Sequence, residues 1–225
     1  MKIGCMIPIK AHSERVTGKS FRDLGGKKLA QWIVDALDKC PYDIDIWINT
    51  DSQEVADMFT EYRNVAIYHR PDYLHGDGVS MNIILQDWME SVRKHKNYAC
   101  FLQTHITNPF LTADSIEAAL DAYFTTVRED SNDSVMGVTG HQCRMWYMGE
   151  PVNFIDNSLI KTQDLVPVYE DNSCIYVFSR ESFYNNSRNR VGLKPFLFEV
   201  EFPENIDIDT EDDFKIAQLV VDLLE

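Results

Sequence analysis

Short apolar runs that alternate with amphipathic segments set the strongest limit on how this chain folds. Ile3–Ile9, Ile44–Thr50, Val65–Tyr68, Ala99–Gln103 and Val135–Val138 read as strands. Between them, Leu29, Trp32, Ile33 and Leu37 recur at helical spacing. Asp51-Ser52-Gln53-Glu54 opens a helix with Val55, Met58 and Phe59 on one face. Ser80 to Val92 is a further helix, with Ile83, Ile84 and Trp88 inward, and Thr112 caps another through Ile116, Leu120 and Tyr123. This strand–helix order predicts an α/β fold: a mostly parallel sheet with helices on both faces.

The pattern changes after Thr139. Residues 141–168 carry no helix period, and Gly149, Pro151, Asn153, Asn157 and Pro167 break them into short extended pieces. They read as a β-rich excursion from a single domain spanning 1–225. Cys174–Phe178 is then a strand, Arg180–Asn185 a short helix, and Phe196–Val200 and Ile206–Asp209 are extended. A last helix runs from Thr210 to Leu224 with Glu211, Asp212 and Asp213 in its first turn.

Composition narrows the function classes. The 225 residues carry 21 Lys and Arg against 36 Asp and Glu, a net charge of −15, which argues against nonspecific nucleic-acid binding. No run approaches the length of a membrane span, and the N-terminus enters the first strand without a signal-peptide pattern, so a cytoplasmic location is expected. The five cysteines are scattered with no metal-ligand spacing and read as buried free thiols.

Against that acidic background, residues 7–28 hold six basic side chains: Lys10, Arg15, Lys19, Arg22, Lys27 and Lys28. They follow the first strand, and ligands of open α/β sheets bind outside the carboxyl ends of strands. A charge pair at about 4 Å and an effective dielectric near 20 gives about 4 kcal/mol before desolvation, against roughly 0.3–1 kcal/mol from a helix terminus. Converging basic side chains would therefore dominate the binding of a polyphosphate. A solvated basic surface loop is the alternative. The segment is neither a Walker A loop nor a dinucleotide glycine fingerprint. Far along the chain, Asp207 and Asp209 stand two apart in an extended stretch and face one way. Paired carboxylates repel unless a cation lies between them, and Mg²⁺ is the usual partner of one or two carboxylates plus phosphates. A helix cap plus a solvated strand end is the alternative, although Thr210 can serve as the cap.

Together these features resemble the acylneuraminate cytidylyltransferase family, the CMP-sialic acid synthetases and their relatives. Ile7 to Ser20 aligns without a gap on the family signature, matching at Pro8, Ser13, Arg15, Gly18 and Lys19. Lys10, His12, Glu14, Thr17 and Ser20 depart from it. Thr50-Asp51-Ser52, Arg70-Pro71 with Leu74, Asp77 and Ser80, Leu102-Gln103, the stretch from Gln163 to Tyr176, and Ile206 to Asp213 match further segments in order. The segment after Gln103 is two residues longer than the family form, which brings His105 and Asn108 toward the site or leaves His105 as a backbone-bonded loop residue. Ser173 stands where the family has glycine.

The resemblance implies a Rossmann-like nucleotidyltransferase and a reaction: Mg²⁺-dependent transfer of CMP from CTP to an acidic 2-keto sugar, with release of pyrophosphate. It gives Lys10, Ser13, Arg15 and Lys19 the triphosphate, with Arg15 and Lys19 acting beside Asp207 and Asp209 in catalysis. It gives Arg70, Ser80 and Gln103 the cytidine, Asp207 and Asp209 the metal, and Lys161, Gln163, Asn172 and Tyr176 the sugar. Asp77 either orients a loop near the base or caps the helix at Ser80. The excursion would join a second copy in a homodimer, with Met145, Trp146, Tyr147, Met148 and Phe154 as its apolar support. The departures at His105, Asn108 and Ser173 leave a phosphonate or other acidic acceptor as one alternative, and those at Lys10, Glu14 and Ser20 leave a nucleotide-binding protein without turnover as another.

Overall fold

In the computed structural model, residues 1–10, 16–76, 78–155 and 160–224 are described. The strands and helices in chain order are β1 (Lys2–Ile9), β2 (Asp23–Leu24), β3 (Lys27–Lys28), α1 (Leu29–Lys39), β4 (Asp43–Thr50), α2 (Gln53–Asp57), β5 (Val65–His69), α3 (Met81–Val92), β6 (Cys100–Thr104), α4 (Ala113–Arg128), β7 (Ser134–His141), β8 (Trp146–Tyr147), β9 (Glu150–Pro151), β10 (Val168–Phe178), α5 (Arg180–Asn185), β11 (Pro195–Glu199) and α6 (Glu211–Leu224). Seven strands form the main sheet in the order β11-β7-β10-β6-β1-β4-β5. All neighbours are parallel except β10, which runs antiparallel to both β6 and β7. The expected mostly parallel α/β sheet is present.

The two-residue period of the strands explains why helices cover both faces. Ile3, Cys5, Ile7 and Ile9 of β1 point to a core shared with Ala30, Ile33, Val34 and Leu37 of α1 and Ile116, Leu120 and Tyr123 of α4. Met6 points the other way, to Trp88 and Met89 of α3, with Phe101 of β6 and Tyr176 and Phe178 of β10. Ile83 was expected inward, but it is exposed, and Leu85 and Met89 take the inward positions with Ile84 and Trp88. The inward stripe through Ile84, Leu85, Trp88, Met89 and Val92 is apolar throughout, whereas Ile83 shares its face with Asp87 and Glu90; α3 begins at Met81, and the Ser80 side chain makes no capping bond. The caps read at Ser52 and Thr112 are present, accepting from Val55 N and Ser115 N. Gly4 is required by a close approach: a Cβ there would lie 2.7 Å from the Tyr98 ring, whose hydroxyl accepts from Trp47 and donates to Asp45.

A third apolar cluster joins α6 to the basic loop and the acidic stretch. Phe214, Ala217 and Val221 pack with Leu24, Leu29, Phe110 and Ile208. Residues 206–209 form no strand and are held by single bonds: Ile208 N donates to Thr107 O, and Asn108 Nδ2 donates to Ile206 O. Between β7 and β10 the chain leaves the sheet and builds the β8–β9 hairpin, which leaves Trp146, Tyr147 and Met148 exposed. Trp146 does have a partner in the chain, Phe154, edge-on at 5.2 Å. All five cysteines are free, and Cys143, in this excursion, is exposed rather than buried.

Candidate active site

Parallel strands put their carboxyl ends on one edge of the sheet. The register aligns Ile9 with Thr50 and Thr50 with His69, so Lys10, Asp51 and Arg70 emerge side by side. Gln103 and Thr104 end β6 on the same edge. Because β10 is antiparallel, its first half lies there too, with Tyr176 directly opposite Gln103. The β10–β7 register breaks between Asp171 and Tyr176, and Ser173 has a left-handed φ of 59°. That conformation accounts for a glycine at the matching family position, since only glycine adopts it without strain.

The basic loop and the acidic stretch meet through Lys19. Gly18, with φ 60° and ψ 27°, turns the chain into a short 3-10 turn that starts at Lys19. The nearly buried Lys19 Nζ donates to Ile208 O at 2.5 Å and lies 3.7 Å from Asp209 Oδ1. Asp207 is half-buried beside them, and its Oδ1 is buried without a hydrogen-bond partner among the described residues. Burial pushes the Asp207 carboxyl above its ordinary range; a bond from Thr107 and the charge of Lys19 pull it down, while Asp209 and Asp213 push it further up. Asp213 steadies the stretch by accepting from Asp209 N, Thr210 N and Thr210 Oγ1. Burial raises the Asp213 carboxyl, but those bonds outweigh it and hold it below the usual range. Thr210 Oγ1 caps α6 by accepting from Asp213 N. Among the described residues, no group of three or more His, Cys, Asp or Glu side chains is placed to hold a metal ion.

The opposite wall is built on Arg70, which is buried at the end of β5. Its Nε donates to Asn49 Oδ1 at 2.7 Å and its Nη2 to Asn49 O at 3.0 Å, while Nη1 is buried without a partner. Burial lowers the guanidinium from its ordinary value, and nearby Asp51 opposes this. Lys10 Nζ reaches Gly76 O at 3.5 Å across the gap between β1 and the loop before α3, and Ser80 is exposed at the start of α3.

A polar network spans the floor, and it contains a residue that motif reading missed. Arg190 Nη1 donates to Gln103 Oε1, and its guanidinium carbon lies over the Tyr176 ring, 3.8 Å from the centroid. Arginine only donates, so this bond turns the Gln103 amide nitrogen toward His105 Nε2, 2.7 Å away. His105 must then accept and be neutral. Burial, Arg190 and Lys19 agree with this, holding its pKa down to about 3. His105 is thus bonded through the Gln103 side chain, not to backbone as a loop histidine would be. Asn108 is fully buried under the acidic stretch and does not face an open site. Arg190 lies in the polar run Asn185-Asn186-Ser187-Arg188-Asn189-Arg190, where no spacing marks one basic residue over another.

Beyond Tyr176 a cleft of about 220 Å³ is lined by Thr139, His141, Asp171, Asn172, Asn205 and Asp207. Tyr176 Oη donates to Asp171 at 2.5 Å, and Asn172 spans Thr139 Oγ1 and Cys174 N. The structure thus brings together Lys19, Asp207, Asp209, Asn172, Gln103 and Tyr176, with Lys10, Arg70 and Ser80 across the edge. Lys161 and Gln163 lie elsewhere, exposed in a 3-10 turn of the excursion, where Gln163 O accepts from Gln142. Ser13, Arg15 and Asp77 lie outside the described residues. Arg22 and Lys27 serve the fold: Arg22 pairs with Glu211 at 2.6 Å over Phe214, and Lys27 pairs with Asp35 at 2.6 Å.

The comparisons with known proteins point one way. A family model described as cytidylyltransferase matches residues 5–220. The chain is 26% identical to a CMP-N,N'-diacetyllegionaminic acid synthase of Legionella pneumophila, over 99% of this chain and 97% of that protein. It is 24% identical to a pseudaminic acid cytidylyltransferase of Campylobacter jejuni, over 98% and 96%. A solved structure of a CMP:2-keto-3-deoxy-manno-octonic acid synthetase complexed with CTP has a TM-score of 0.70 at 14% identity, covering 100% of both chains. A 4-diphosphocytidyl-2C-methyl-D-erythritol synthase from Anaerococcus prevotii has a TM-score of 0.63 at 16% identity, over 98% and 96%. At these identities the two structures speak for the Rossmann-like fold alone.

Proposed function

The chain belongs to the cytidylyltransferase family, and on that premise we propose that it transfers CMP from CTP to an acidic 2-keto sugar, a nine-carbon acid of the legionaminic or pseudaminic kind or an eight-carbon relative. The observation that carries this reading is Lys19, which ties the basic loop to the acidic stretch at Asp209 and sets the phosphate wall beside Asp207. The acceptor's anomeric hydroxyl attacks the α-phosphorus in line; the new C–O–P link forms as the bond to the β-phosphate oxygen breaks, and pyrophosphate leaves with its charge neutralised. Such a displacement needs positioning and charge compensation more than covalent help.

Lys10, Ser13, Arg15 and Lys19 bind the triphosphate in this reading. Arg70 offers its unpartnered Nη1 to the nucleotide, with Ser80 and the Gln103 end of β6 beside it. Asp207 and Asp209 hold Mg²⁺, and the orphaned, buried Asp207 Oδ1 is the feature that fits a cation. When bound, the metal polarises the α-phosphoryl group. Asn172 lines the sugar cleft, and Tyr176 backs it by donating to Asp171.

Lys161 and Gln163 serve the sugar only if the excursion crosses to a second copy, and we read it as doing so. Trp146 (55% exposed), Tyr147 (71%) and Met148 (87%) give the hairpin an apolar face that suits burial against a partner. In this reading the protein works as a homodimer in the cytoplasm; no described helix is long and apolar enough to cross a membrane. The test is pyrophosphate release from CTP with Mg²⁺ across nine-carbon and eight-carbon 2-keto acids and phosphonates. Release with a 2-keto acid is expected; release with phosphonates alone, or with nothing, overturns the assignment.

A further inference from the structure

Arg190 has no role in the reading above, yet its surroundings are built around it. Its backbone N–H donates to Asn82 Oδ1 at the start of α3, its Nη1 holds Gln103, and its guanidinium lies over the Tyr176 ring. A guanidinium carries five N–H donors, and those bonds use one of them. Among the described residues it forms no ion pair: Asp171 is engaged at the far end of the Tyr176 ring, and His105 is held neutral. Lys19 acts on the same histidine, so two cations bear on His105 beside the floor network. A half-buried arginine with unused coplanar donors is shaped for a planar anion taken end-on by two bonds.

We propose that Arg190, fixed by Gln103 and Tyr176, binds the carboxylate of the acidic acceptor. The inference rests on the function proposed above and adds a residue that sets acceptor specificity. In a 2-keto acid sugar the carboxylate sits on the anomeric carbon itself, so anchoring it also orients the attacking hydroxyl. The anchor selects a carboxylate over a neutral group and leaves CTP recognition to the opposite wall.

The test crosses enzyme variants with acceptor variants. Wild type, Arg190→Gln and Arg190→Lys are assayed for pyrophosphate release with the best acidic acceptor and with its carboxamide. For the acid, Arg190→Gln is expected to lower kcat/KM at least 100-fold, Arg190→Lys to lower it less, and the KM for CTP to stay within twofold. Wild type should prefer acid over carboxamide by a similar factor, and Arg190→Gln should lose that preference. Preference retained in the glutamine variant, or a defect confined to the KM for CTP, overturns the proposal. If wild type turns over no acid sugar, the functional reading has failed separately. Calorimetric titration of the same acids into CTP-loaded protein then decides: binding to wild type and not to Arg190→Gln supports the anchor, whereas equal or absent binding refutes it. Unchanged melting of both variants excludes a folding defect.

Discussion

Replacing Asp207 with asparagine should stabilise the protein without divalent cations while destroying its activity. The carboxylate is half-buried, has one oxygen without a partner, and faces Asp209 and Asp213. Burial and the like charges of Asp209 and Asp213 make the ionised form unfavourable there. Asparagine keeps the shape and an acceptor for Thr107 while removing the charge. Lys19 loses one attraction but keeps Ile208 O and Asp209. The net gain is expected to be about 1 kcal/mol, or a rise of roughly 2–4 °C in Tm for a chain of this size. Because burial raises the folded pKa of Asp207, the folded state holds the proton more tightly. Wild-type stability therefore falls as pH rises from the ordinary 3.8 through the folded value, and the gap between variant and wild type should open over that interval. The assay is thermal and urea denaturation in chelator at pH 7, repeated with Mg²⁺ and CTP, which should reverse the order by stabilising wild type alone. A variant less stable than wild type without cations would refute the reasoning, because the carboxylate would then be a net structural support.

Lys19→Met should lower kcat/KM roughly 10²–10³-fold, the scale seen when one preorganised donor is removed from a reacting anion, and steady-state kinetics with CTP checks it. His105 should not titrate between pH 5 and 8, as read by imidazole NMR. Its folded pKa of about 3 lies below the ordinary 6.5, so the unfolded chain binds more protons in that window. Stability should then fall as pH drops from 6.5 towards about 3, by at most about 1.4 kcal/mol per unit, and His105→Asn should flatten that slope in urea melts. Gly4→Ala should cost about 1–3 kcal/mol by forcing a methyl group onto the tethered Tyr98 ring, measured by chemical denaturation.

Much of the fold was readable from the chain because a periodic signal is local. Strand alternation in β1 divides Ile3, Cys5, Ile7 and Ile9 from Met6, and that division requires a layer on each face. Caps at Ser52 and Thr112 are decided within four residues. That Lys10, Asp51 and Arg70 share one edge was legible for a related reason, since loops after parallel strands emerge side by side. The phase of α3 was less legible, since Ile83, Ile84 and Leu85 are all apolar and only the next turns, with Asp87 and Glu90 on the face of Ile83, leave it at the surface.

The sequence by itself determined the sheet, its two covered faces, and the residue types that a polyphosphate and a cation require. Only the tertiary structure decided that Lys19 spans the distance to Ile208 and Asp209, and that Arg190 sits on Tyr176 and Gln103. The reason is range. Local pattern follows from dihedral periods over a few residues, whereas a contact between residues far apart in the chain depends on how β6, β10 and α5 are stacked. Nothing in the run from Asn185 to Arg190 records that stacking, so the arginine acquires its place, and its proposed role, only from the fold.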